Sequence, residues 1–336
     1  MLENYIKTQG LNNELTYIPI ENYITYAGET AQVNLSYQKF GLPLGTAPVV
    51  LITHALTGNS QVTGEKGWWN NVVGRGKVMD TNKYTVIAFN VPGNGYDGKP
   101  ENLYENYKIF TAKDIARIFS IGLEKLNVNR LFVNVGGSLG GGIAWELSVL
   151  KPALAKNLIA VATDWKASDW VIANAKVQET ILMNSCNALQ DARMHAMLIY
   201  RTPESLTMKF NRTKNDNLGM FNIESWLKYH GEKLEERFML SAYKQLNYIL
   251  STIDVSLGHR NFKEAVYAVT ADIHVISVDS DGLFTLREDK ESVKQLRLIR
   301  QRTGQAVNHK VIRSIHGHDA FLIEYDQLNN FLEPIF

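Results

Sequence analysis

Gly136-Gly137-Ser138-Leu139-Gly140 is the stretch on which the reading of this chain turns. It fits the pattern G-x-S-x-G, a sharp turn that lifts a serine hydroxyl out of the chain and makes it a nucleophile. The flanks agree with such a turn. Arg130-Leu-Phe-Val-Asn-Val135, β-branched and aromatic, reads as a short strand. Gly141-Gly-Ile-Ala-Trp-Glu-Leu-Ser-Val-Leu150 reads as a helix that begins with small residues. A serine between strand and helix takes a strained backbone conformation, and neighbouring side chains would collide across the turn. Gly136 and Gly140 remove that collision, leaving the hydroxyl exposed at a helix N-terminus.

Outward from this turn, the chain alternates strands and helices. Leu15–Ile20 and Ala31–Tyr37 alternate apolar with polar residues, as an antiparallel edge pair does. Pro48–Thr53, Tyr84–Phe89 and Leu158–Ala162 are continuous apolar runs, the mark of strands covered on both faces. Thr111–Leu126 has helical spacing. From Trp165 to Thr270 the text is helical and rich in Met, Asn, Lys and Tyr, with Asn187–Tyr200 and Ile223–Ile253 as its clearest segments. The strand pattern then returns at Ile273–Val278, followed by a helix over Glu288–Thr303 and a strand at Lys310–Ile315. Strand–helix alternation implies a mostly parallel sheet with right-handed crossovers. The expectation is an α/β-hydrolase fold, with a core of residues 1–164 and 271–336 and a helical cap inserted over 165–270.

Composition narrows the class. The 336 residues carry 45% hydrophobic and 21% charged side chains and a net charge of +1, the balance of an ordinary globular protein. That charge gives no footprint for nucleic acid. Cys186 is the single cysteine, so an intrachain disulfide and a cysteine-based zinc cage are excluded. No apolar run approaches the ~20 residues of a membrane helix. Met1-Leu-Glu-Asn-Tyr-Ile-Lys lacks the basic and apolar segments of a signal peptide, so a cytoplasmic protein is expected. His54 and His195 stand alone, and no metal constellation emerges.

A serine needs an adjacent base, held in turn by a third group. On this fold the chain order is serine, acid, histidine. The strand Ile273–Val278 runs into Asp279-Ser280-Asp281-Gly282-Leu283, which offers Asp279 and Asp281 as acids. The loop after the last strand, Ile315-His316-Gly317-His318-Asp319, offers His316 and His318. Pattern alone does not choose within either pair. The oxyanion of acyl transfer needs backbone N–H donors. Leu139, next after the nucleophile, supplies one, and Leu56 in His54-Ala-Leu-Thr-Gly-Asn59 is the candidate for the other.

Taken together, these segments resemble the homoserine O-acetyltransferases of the α/β-hydrolase superfamily. The resemblance rests on His54-Ala-Leu-Thr-Gly58, Gly67-Trp-Trp-Asn70 with Val73-Gly-Arg-Gly-Lys77, and Asp80-Thr-Asn-Lys-Tyr84. It continues in Gly136-Gly-Ser-Leu-Gly-Gly141, Tyr229-His-Gly-Glu-Lys233 and Gly317-His-Asp-Ala-Phe-Leu322. It implies Ser138 as nucleophile, His318 as base and Asp281, within Ser280-Asp-Gly-Leu-Phe284, as the acid. It further implies Arg193 and Tyr200 as the pair that meets the amino-acid substrate. Their seven-residue spacing is about two helical turns and puts both on one face. Asp319 would meet the substrate ammonium, and Thr57 would lie on the substrate side of the oxyanion loop. The implied chemistry is ping-pong: Ser138 takes acetyl from acetyl-CoA and passes it to L-homoserine, a step of methionine biosynthesis. No bound cofactor is implied, and a homodimer through the cap helices is. The chain departs from the family at Pro92-Gly-Asn-Gly-Tyr-Asp-Gly-Lys-Pro100, where relatives carry a longer loop ending Gly-Ser-Thr-Gly-Pro. That departure bears on the acyl donor, acetyl or succinyl. A serine esterase or thioesterase would use the same triad but would have no role for Arg193, Tyr200 and Asp319. A non-catalytic scaffold would have no reason to keep the triad.

Overall fold

A computed structural model describes residues 14–336. Eight strands form one sheet: β1 (Thr16–Ile24), β2 (Thr30–Gly41), β3 (Val49–Thr53), β4 (Thr85–Phe89), β5 (Leu131–Gly137), β6 (Ala155–Val161), β7 (Asp272–Val278) and β8 (Val307–Ile312). Their spatial order is β1-β2-β4-β3-β5-β6-β7-β8. β1 pairs antiparallel with β2, and β2 with β4; every later pairing is parallel. The apolar runs behave as their composition demands, since every residue of β3 and of β4 is buried. Alternate residues feed two layers. Leu51, Ile87 and Phe89 pack with Ile115 and Phe119 on one face, and Val50, Ile52, Val86 and Ala88 with Trp69 and Phe321 on the other.

Ten helices accompany the sheet among the described residues. α1 (Ala112–Lys125) opens with a capping box in which Thr111 and Asp114 satisfy each other's backbone N–H groups. α2 (Leu139–Leu150) follows the serine. Between β6 and β7 come α3 (Asp169–Asn184), α4 (Ala188–Tyr200), α5 (Pro203–Phe210), α6 (Asn222–Glu235), α7 (Leu240–Ser251) and α8 (Phe262–Tyr267). A two-residue ladder of Lys214–Asn215 with Met220–Phe221 also lies there. α9 (Leu286–Arg300) and α10 (Tyr325–Leu332) complete the set. No described helix is long and apolar enough to cross a membrane.

Several local expectations shift. The segment Ile223–Ile253 is two helices, α6 and α7, with a break at residues 236–239. The last strand lies at Val307–Ile312 rather than Lys310–Ile315, because its register is set by β7, with Ile273 opposite Val307. Within the inserted segment, Val255, Phe262, Ala265, Val266 and Val269 pack with Trp145, Ile273 and Leu296, in the same layer as the sheet.

The turn at Ser138 shows why its glycines are needed. A β-carbon on Gly136 would fall onto the Gly140 carbonyl, and one on Gly140 onto the Thr53 carbonyl oxygen, with the His54 oxygen 2.6 Å away. Helix α2 can approach the end of β3 this closely only without that carbon. Backbone atoms cannot step aside as a side chain tip does, so Gly140→Ala should destabilise the protein by at least the ~1–3 kcal/mol of core overpacking. Urea unfolding of purified Gly140→Ala checks this; an unchanged midpoint would contradict it.

Candidate active site

β5 delivers Ser138 at φ 54° and ψ −128°, a left-handed conformation that non-glycine residues avoid. The strain is held in place from both sides. The Ser138 N–H donates to the Val161 carbonyl at 2.9 Å, extending the ladder to β6, while Gly141 N–H donates back to the Ser138 carbonyl at 2.9 Å. The hydroxyl is then presented at the N-terminus of α2.

His318 reaches it from the far end of the chain. The serine O–H lies 2.9 Å from Nε2, and Nδ1–H donates to Asp281 Oδ2 at 2.7 Å. The other Asp281 oxygen accepts from Leu283 N–H at 2.7 Å and Phe284 N–H at 2.9 Å. Asp281 therefore sits at the turn after β7 with its carboxylate fully engaged. Burial alone would depress the His318 pKa, but Asp281, through charge and hydrogen bond, and Asp319 outweigh it and raise the value above 6.5. Phe284 and Phe321 rings flank the imidazole at 5.9 and 5.7 Å between centroids.

The competing residues are occupied elsewhere. Asp279 accepts from Ser314 N–H at 3.0 Å and pairs with Arg313 at 3.4 Å. His316 Nδ1 lies 2.9 Å from Ser205 Oγ on α5. The loop is not extended, where residues two apart would share one side; His318 lies in a 3-10 turn over Gly317–Leu322 and His316 precedes it, so the two rings meet different partners.

Leu56 and Leu139 are both buried, and among the described residues neither backbone N–H donates to another protein group. Thr57 is half-buried, and its carbonyl accepts from Arg237 Nη1 at 3.0 Å. Arg193 and Tyr200 share one face of α4. The guanidinium lies 6.0 Å from the Tyr200 ring centroid, and that ring lies 5.4 Å from the His318 ring. Arg193 has no ion-pair partner among the described residues, whereas Asp319 pairs with Arg201 at 3.7 Å. Burial raises the Asp319 carboxyl above its ordinary value despite the cations around it. Burial also pushes Tyr200 up to about 12.

Arg201 and Arg237 were passed over by sequence reasoning. Arg201 directly follows Tyr200, and Arg237 sits in the α6–α7 break that the sequence does not mark. Near them, His230 is pushed down to about 4 by burial and then by Arg193, Lys209, Lys233 and Arg201. A narrow cavity of about 20 Å³, the size of a single water, lies beside Leu56 between α3, α4 and α7, lined by Gln178, Ala196, Tyr200, Tyr243 and Leu250. The short Pro92–Pro100 loop is pinned to α7, where Gln245 Nε2 donates to the Pro92 carbonyl at 2.6 Å. No group of metal-ligating side chains occurs among the described residues.

The profile of the alpha/beta hydrolase fold family matches residues 48–193. A homoserine O-acetyltransferase of Haemophilus influenzae is 32% identical, over 89% of this chain and 91% of its own. The chain belongs to the homoserine O-acetyltransferase family. The crystal structure of the Bacillus anthracis homoserine O-acetyltransferase superposes with a TM-score of 0.86, 20% identity and coverage of 96% and 97% of the two chains. Esterase E22 superposes at 0.83 with 17% identity, covering 96% and 99%. Both structural likenesses speak to the α/β-hydrolase fold, which serves more than one acyl chemistry.

A serine hydrogen-bonded to an oriented imidazole is reactive whatever its natural acyl donor. A fluorophosphonate probe should label Ser138 stoichiometrically. The labelling rate should fall as pH drops through the raised His318 pKa, because the protonated ring cannot accept the serine proton. Asp281→Asn should slow it by at least about a hundredfold, a discounted share of the ~10⁴ effect of such a change in serine proteases. Equal labelling of Ser138→Ala would contradict the assignment.

Proposed function

We propose that this protein is an O-acyltransferase that moves acetyl from acetyl-CoA to the hydroxyl of L-homoserine through an acyl-Ser138 intermediate. His318 takes the serine proton as the hydroxyl attacks the thioester carbonyl. The resulting oxyanion is met by the Leu56 and Leu139 N–H groups, and the thiol of CoA leaves with the proton from His318. In the second half, His318 deprotonates the homoserine hydroxyl, which attacks the acyl-serine, and the proton returns to Ser138 as the ester is released. Asp281 fixes the imidazole tautomer and stabilises its charged form.

The observation that carries this reading is the Arg193–Tyr200–His318 line with Asp319 beside it. An unpaired guanidinium one ring away from the base suits a carboxylate, which it can bind through two oxygens. Asp319 suits the ammonium. A simple ester substrate would use neither. We assign Thr57 to the substrate side of the oxyanion loop. The segment bearing α3–α7 acts as a cap that excludes water from the acyl-enzyme. We place this cap within residues 165–270. Exposed Met183, Leu198, Met208 and Tyr229 on α3–α6 supply an apolar surface for a homodimer. The acetyl donor, the cytoplasmic setting and the place in methionine biosynthesis belong to the same reading.

The test follows CoA release from acetyl-CoA with and without L-homoserine. The expected result is homoserine-dependent release with O-acetylhomoserine as product, abolished in Ser138→Ala. In Arg193→Ala the KM for L-homoserine should rise about 10–100-fold, matching the ~1.5–3 kcal/mol of hydrogen bonds to a charged group. Acetylation of Ser138 itself should change far less. Release that is indifferent to homoserine would make the protein a hydrolase, and release from succinyl-CoA alone would replace the donor.

A further inference from the structure

His54, an isolated histidine in the sequence, is enclosed in the structure, 1% exposed. Its ring nitrogens face different partners. The Val91 N–H lies 3.0 Å from Nε2. A backbone N–H can only donate, so Nε2 accepts and the proton sits on Nδ1. Nδ1 in turn lies 2.8 Å from the Ala55 carbonyl oxygen, which can only accept. Both contacts demand the same neutral tautomer. Burial keeps the ring in that state, with its pKa pushed down to about 4 although the bond to Ala55 works the other way.

The Ala55 carbonyl and the Leu56 N–H belong to one peptide unit. A trans peptide is planar, with its C=O and N–H pointing opposite ways, so a grip on the oxygen aims the N–H. The Gly58 N–H donates to the same oxygen at 2.9 Å. With both lone pairs engaged, the peptide is fixed in orientation, and hydrogen bonds at the oxygen polarise the N–H at the other end.

We propose that His54 is a positioning residue for acyl transfer, its Nδ1–H setting the Ala55–Leu56 peptide so that the Leu56 N–H meets the oxyanion. The proposal rests on the reading above that Leu56 supplies an oxyanion donor. The support behind the ring extends well into the core. Asn90 Nδ2 donates to Ser36 Oγ and Ser60 Oγ, each at 3.0 Å. Asn90 Oδ1 accepts from Ser60 N–H at 2.8 Å and from Asn94 Nδ2 at 3.1 Å. Both ends of the oxyanion loop, His54 and Ser60, are thereby tied to the segment that leaves β4. From the opposite side, Arg237 holds Thr57.

Two substitutions separate positioning from packing. Asparagine places its Nδ2 near the position of the histidine Nδ1, keeping a donor for Ala55 and losing the acceptor for Val91. Glutamine reaches the Nε2 position, keeping an acceptor for Val91 and losing the donor for Ala55. The measurement is the burst rate of Ser138 acylation by p-nitrophenyl acetate, with thermal unfolding of each variant alongside. Removing an oxyanion donor costs ~10²–10³ in rate. The expected order is wild type, His54→Asn, His54→Gln, with the asparagine variant at least about tenfold faster than the glutamine one. Thermal stability should not follow that order, because glutamine fills more of the ring's volume. Equal burst rates, or rates that simply track stability, would overturn the role of His54 while the wild-type burst leaves the acyl-serine reading intact. A wild type with no Ser138-dependent burst would overturn both.

Discussion

Where α2 crosses the end of β3, the backbone of Gly140 lies against the carbonyl oxygens of Thr53 and His54 with no space for a β-carbon. This backbone-to-backbone approach sets the distance between the turn after β5, which carries the Leu139 N–H, and the loop after β3, which carries the Leu56 N–H. It also holds Ser138 at positive φ, since relaxing the turn would drive α2 into β3. The strain at the serine is therefore paid by sheet and helix packing on both sides, which is how a strained functional residue persists. The Ser138 turn and the Leu56 loop both take their positions from it.

The parallel sheet supplies the rest of the geometry. β3, β5 and β7 run in the same direction, so the loops that leave them open at one edge of the sheet. That edge receives the Leu56 loop, the Ser138 turn and the Asp281 turn, while the 3-10 turn after β8 swings His318 over them. Helix α4 ends against this turn, with the Thr202 hydroxyl donating to the Ile315 carbonyl and Ser205 holding His316. Arg237 and Gln245, from the break after α6 and from α7, bind Thr57 and Pro92. The inserted helices are thus joined by hydrogen bonds to the loops around Ser138 and His318.

Much of this was legible from the chain alone, because the signals are local. Continuous apolar runs mark β3 and β4, and G-x-S-x-G between strand and helix marks the turn. Choosing Asp281 over Asp279 and His318 over His316 needed the family resemblance. Each pair sits in one short loop, and long-range contacts to Arg313, Ser314 and Ser205 occupy the members not chosen. The α6–α7 break carries no proline or glycine, so only packing reveals it, and with it Arg237. The last strand was placed three residues late, because an edge strand with alternating exposure takes its register from its neighbour. α10 was missed altogether; it is eight residues long, anchored by Leu328 and Leu332. His54 stands alone in the sequence. Its tautomer and its hold on Ala55 depend on Val91, 37 residues away, which no local pattern connects to it.

In the proposed reaction Ser138 carries the acyl group between donor and acceptor. Intact-mass spectrometry of the protein quenched shortly after mixing with acetyl-CoA, with no amino acid present, addresses it directly. The expected result is a single acetyl adduct, mapped to Ser138 by peptide sequencing, that persists until L-homoserine is added and then discharges into O-acetylhomoserine. A protein that makes O-acetylhomoserine yet never carries an acetyl group, or carries it on another residue, would rule out an acyl-Ser138 intermediate.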